Sequence, residues 1–102
     1  MKIVEKLSEM ISEEIGDAAK YAQCALNHKD DRPGLADVFY KLSTEEMRHM
    51  AMLHEQAVKI IDDYRKDHGE PPAEMLAVYN YLHDKQMEEA AAVKAKQALY
   101  NN

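Results

Sequence analysis

The chain of 102 residues has no tryptophan, one phenylalanine, one cysteine, three glycines and three prolines. A single cysteine, Cys24, excludes an intrachain disulfide framework and makes a reducing cytoplasm the expected compartment. So few glycines and prolines leave room for very few turns, which excludes a many-turned architecture. No apolar run is long enough to span a membrane. The opening MKIVEKLSEMISEEIG carries charges every few residues and has no apolar stretch of signal-peptide kind. Positive charge is also short: 13 Lys and Arg stand against 19 Asp and Glu, a formal net charge of −6. That balance argues against a nucleic-acid or anionic-membrane partner and suits a protein that handles cations. There is no glycine-rich phosphate loop and no evident nucleophile or acid–base pair.

What is present is helix-forming. Hydrophobic residues make up 46% and charged residues 31%, the balance of a soluble patterned protein rather than a disordered tail. The length suits one domain, residues 1–102. Turn signals fall at HKDDRPG, residues 28–34, and HGEPP, residues 68–72. The apolar period between them is helical, which predicts an all-α chain of three helices, roughly 2–29, 33–67 and 72–100. Pro33 and Pro72 fit a first helical turn, and Gly69 fits the position just past a helix end. The link DHGEPP is so short that the third helix is expected to run antiparallel to the second.

The expected inward series of the first helix is Val4, Leu7, Ile11, Glu14, Ala18, Tyr21, Ala25 and His28. In the second it is Leu35, Phe39, Leu42, Glu46, His49, Leu53, Gln56 and Ile60. Both alternate three and four apart, the seam of a helical bundle. The third helix has a thinner face of Met75, Tyr79, Leu82, Gln86, Ala90, Val93 and Tyr100.

Glu14, Glu46 and His49 interrupt these stripes near their middles. A carboxylate buried alone costs several kcal/mol, on the order of what a divalent cation would relieve. Carboxylate oxygen with imidazole nitrogen suits iron, manganese or zinc. In STEEMRHM, Glu46 and His49 stand three apart and therefore share a helix face. The competing reading is a solvated helix face. Helical bundles hold di-iron and di-manganese sites with one Glu from each of two helices and a Glu-x-x-His from each of two others.

EIGDAAKY, with Glu14 and Tyr21, together with STEEMRHM resembles the first two helices of the ferritin-like superfamily, rubrerythrin in particular. The resemblance covers roughly residues 7–60. It implies that Glu14, Glu46 and His49 are metal ligands, with Tyr21 packed near the metal and hydrogen-bonded to a ligand. It implies a di-iron cofactor and ferroxidase or peroxide- and dioxygen-directed redox chemistry. The chain departs from the family pattern in having no second Glu-x-x-His, with Asn80 standing before His83 in NYLH, and no Cys-x-x-Cys segment. It carries half a site. Encapsulated ferritins are similar in this respect, but the end ALYNN does not look like their cargo-loading tail, so encapsulation is not expected. The expectation is instead a homodimer, or a multiple of it, in which two copies form a ferritin-like four-helix core and converge their half-sites. The alternative is a non-catalytic helical interaction module with at most a structural metal.

The remaining candidates have plainer readings. Glu13 and Glu45 are expected at solvent or on a helix flank, His28 at the end of the first helix, and His54 and His68 on the surface. His83, Gln86 and Glu89 read as a polar strip on the third helix. Met47, Met50 and His54 follow at three- and four-residue spacing, which would suit Cu(I); the competing reading is methionine filling core gaps. Cys24 reads as a small core residue.

Overall fold

A computed structural model describes residues 1–102 as three helices and no strands. Helix α1 spans Lys2–His28, α2 Pro33–His68 and α3 Ala73–Tyr100. The 36 residues of α2, at about 1.5 Å each, account for the 55 Å long axis of the molecule. No helix is long and apolar enough to cross a membrane.

The two turns follow from local chemistry. Pro33 opens α2, where its missing N–H costs nothing. Gly69 follows α2 at φ +78°, a conformation that strains any residue with a Cβ, and its N–H donates to the Arg65 carbonyl. Pro72 sits one residue earlier than expected, as the N-cap of α3, with extended backbone.

Contacts fix the directions. Ser43 on α2 meets Ala18 on α1, and Gln97 on α3 meets Ser43, whereas Gln86 meets Ser8 and Gln97 lies towards the far end of α1. Helix α2 thus runs antiparallel to both neighbours, and α1 and α3 run parallel. The core between them is built from Ile11, Ile15, Ala18, Met50, Ala90 and Val93.

The buried faces are rotated from the expected seams. On α1 the buried residues are Val4, Ser8, Ile11, Ile15, Ala18, Ala22 and Ala25. Leu7, Glu14, Tyr21 and His28 are only half-buried. On α2 they are Ala36, Ser43, Met50, Ala57 and Ile61, while Leu35, Leu42 and Gln56 are exposed. The cause is α3, which lies along the Ser8–Ile15 side of α1 and draws the core towards itself. Small residues at the crossing (Ala18, Ala22, Ala36, Ser43, Ala57, Ala90) let the backbones approach closely, leaving larger apolar side chains on the flank away from α3. The face expected for α3 holds: Gln86, Ala90 and Val93 are buried, and Met75, Tyr79, Leu82 and Tyr100 half-buried.

Two polar pins set the register. The Gln86 Nε2 donates to the Ser8 carbonyl, Ser8 Oγ and Ser12 Oγ at 3.0–3.1 Å. The Ser43 hydroxyl donates to the Ala18 carbonyl at 2.8 Å and accepts from Gln97 Nε2 at 3.0 Å. Buried polar groups satisfied in this way lock one helix alignment, because a slip of one turn would orphan them.

Candidate metal centre

The flank away from α3 carries Glu14 from α1 and, one turn apart on α2, Glu46 and His49. Each offers a ligand atom, and these atoms all lie within 4.8 Å of one another. His49 Nδ1 is 3.7 Å from Glu14 Oε2 and 3.9 Å from Glu46 Oε1. Both separations are too long for hydrogen bonds. They fit donors arranged around an ion: metal–oxygen and metal–nitrogen bonds of about 2.0–2.2 Å hold neighbouring ligand atoms roughly 3–4 Å apart.

Glu14 Oε2 is buried and has no hydrogen-bond partner, and no other buried side-chain nitrogen or oxygen is in that position. An unpartnered buried carboxylate oxygen loses its hydration without return. The Glu46 carboxyl is pushed above the usual carboxylate range, first because it can share a proton with Glu14, then by burial and by the charge of Glu14; His49 opposes the shift. The cluster is short of positive charge and has room for it. Chemically, the set can hold one divalent cation of the iron, manganese or zinc kind and leave coordination positions open.

Those positions face outward. An open hollow of about 310 Å³ is lined by Met10, Glu13, Glu14, His49, Met52 and Leu53. The His49 side chain is 44% exposed, so the site sits at a surface, not in a closed interior. Around it the same flank exposes Ile3, Met10, Leu35, Leu42 and Met52; helical spacing aligns Ile3 and Met10 with Glu14 on α1, Leu35 and Leu42 with Glu46 on α2, and Met52 with His49.

The other sequence candidates fall outside this group. Tyr21 is half-buried two turns from Glu14; its ring stacks on Phe39 at 6.3 Å, and no hydrogen bond ties it to Glu14, Glu46 or His49. Glu13 lines the hollow but is exposed. Glu45 is held by Arg48 at 2.7 Å, and that bond, with the Arg48 charge, keeps its carboxyl below the usual range. His28 ends α1 and meets Asp31 at 3.2 Å. Gln86 is a register pin, Glu89 is exposed, and Met50 is core. His54, expected on the surface, instead stacks on His83 across α2 and α3. A hairpin pairs residues equidistant from its turn, and 54 and 83 are about equally far from His68–Gly69; that arithmetic is the signal that could have found them.

No protein-family model, curated protein or solved structure matches the chain.

Proposed function

We propose that the chain is a ferritin-like metal-binding protein whose di-metal centre, di-iron first, forms between two copies. The observation that carries this reading is the orphaned Glu14 oxygen within ligand distance of Glu46 and His49. Glu14, Glu46 and His49 would hold the metal. Bound iron would supply the electrons to reduce dioxygen or peroxide. The chain's own part is to fix the donors on two helices pinned by Ser43, to keep the Glu14 oxygen dry, and to let His49 face the open side.

One copy offers two carboxylates and one imidazole, half the set that bundles use for two metals. The exposed apolar flank around the site has no partner within the chain, and a two-fold-related copy would cover it with the same residues while bringing the second half-set. Helix α3 packs against the Ser8, Ser43 and Met50 side of the α1–α2 hairpin and would not obstruct that pairing.

The test is aerobic addition of Fe(II) with ferric absorbance followed in wild type and Glu46→Ala. Rapid oxidation in the first and loss of it in the second is the expected result; equal rates would end the redox reading. A chelator-sensitive melting temperature without any oxidation would instead mark the metal as a structural staple.

A further inference from the structure

His54 on α2 and His83 on α3 face one another at a cleft that shares no lining residue with the hollow at Glu14 and His49. Their ring centroids are 4.9 Å apart and the rings are inclined by 25°. The two side chains make no hydrogen bond with the protein; the nearest charged group is the Asp84 carboxylate, 3.9 Å from His83 Nδ1. They line a cleft of about 350 Å³ whose wall also holds Asp62, Arg65 and Tyr79. Arg65 is engaged by Asp62 and Glu70 at 3.3 Å, so it is not free to pair with an anion there.

Two imidazoles therefore line one open cleft with no hydrogen bond to the protein. Imidazole is the commonest side-chain donor to borderline transition metals. With metal–nitrogen bonds of about 2.0–2.1 Å and a tetrahedral angle, two ligated rings have centroids roughly 5 Å apart. The observed spacing already meets that figure, so ligation needs only ring rotation, and χ2 of histidine is a soft torsion. Burial, and then the neighbouring His83, hold the His54 pKa below the ordinary imidazole value; the ring is neutral at pH 7 and its lone pair is available.

We propose that His54 and His83 form a second transition-metal site, taking a borderline divalent cation (Zn²⁺, Cu²⁺ or Ni²⁺) that clips α3 to α2. Water completes the coordination from the open cleft. The site owes nothing to Glu14, Glu46 or His49, and its fate is independent of the di-metal reading. It stands about four turns before Gly69 on α2 and nearly three turns into α3.

The experiment is a Zn²⁺ titration of the full chain at pH 7.5, with the imidazole signals resolved by NMR. Signals of His54 and His83 should move together with one saturation curve. His83→Phe keeps a flat ring against His54 but removes the donor; the His54 signal should then stop responding and affinity at this site should fall by at least the roughly 10–100-fold that even outer-shell changes cost. His54→Phe should do the same to His83. Movement of only one of the two, or unchanged Zn²⁺ affinity in both variants with native helicity retained, would overturn the proposal. Should a Phe variant fail to fold, Glu46→Ala supplies the reading: it leaves the His54 and His83 response intact if the site is real and removes it if their shifts only relay binding at His49.

Discussion

Two sets of polar groups are buried against the same helix, and they are treated in opposite ways. Gln86 finds three acceptors on α1, and Ser43 both donates and accepts. Glu14, two residues beyond Ser12 on α1, leaves a buried oxygen with nothing. The first set is complete within the chain and does structural work. The second is incomplete within the chain, and such a group is tolerated where something from outside completes it. The difference separates, on a single helix, polar groups that the fold satisfies from one that it does not, and it can be broken by substitution.

The largest effect is expected at the incomplete set. Glu14→Ala and Glu46→Ala should each take metal content at the α1–α2 site from near one ion per chain at full loading to near none, measured by metal analysis after loading and desalting. Neither should cost the apo fold much, because each removes a carboxylate the fold does not satisfy. Wild-type occupancy in Glu14→Ala would mean that α1 supplies no ligand.

Next in size is the complete set. Gln86→Ala removes three hydrogen bonds and leaves Ser8 and Ser12 facing a void, a loss on the order of 2 kcal/mol. At about 4–8 °C per kcal/mol for a domain of this size, the melting temperature should fall by roughly 10 °C. Ser43→Ala should cost about half as much. Metal occupancy should hold in both as long as the chain is folded. Glu14→Gln should move the apo melting temperature the other way, upward by a few degrees, since an amide can donate to Glu46 where two carboxylates compete. A fall in that variant would show that Glu14 is as well satisfied as Gln86, and the contrast would fail.

Much of this was legible in the residues. The turns at 28–34 and 68–72, the helix boundaries to within one residue and the face of α3 all follow from proline, glycine and a 3.6-residue period. Glu14, Glu46 and His49 were legible because a Glu-x-x-His and a facing Glu stand about equally far from the Asp30–Asp31 turn. The rotation of the α1–α2 seam was not. A heptad reading assigns Leu7 and Leu42 inward because they are large, whereas the helices cross on Ala18, Ala22, Ala36 and Ser43, whose small size carries no hydrophobic signal. Only the placement of α3 decides which flank of α1 is covered. The His54–His83 pair was missed for a related reason: each lies off the stripe of its own helix, and only the hairpin brings them together.

The smallest effect is a dependence on pH, and its sign tests the proximity of the two carboxylates. Glu46 has its pKa raised above 4.5, chiefly through a proton shared with Glu14. Between 4.5 and that raised value the folded chain holds a proton that the unfolded chain has released. Its contribution to stability is therefore fully present below about 4.5 and is lost as pH rises through the folded value. His54 has the opposite sign: with its pKa lowered by burial and His83, it costs stability as pH falls from about 6.5 towards its folded value. The two overlap in a simple melt, and general acid unfolding lies over both. Comparing the metal-free wild type with Glu46→Gln cancels everything but Glu46, because the amide presents a donor to Glu14 at every pH. The difference in melting temperature, wild type minus variant, should be highest near pH 4.5 and decline towards pH 7. Loading with Mn²⁺, which needs both carboxylates ionised, should reverse the slope, so that wild type gains on the variant as pH rises. A flat difference without metal would mean that the two carboxyl groups share no proton in the apo chain, and a flat difference with Mn²⁺ as well would take Glu46 out of the ligand set.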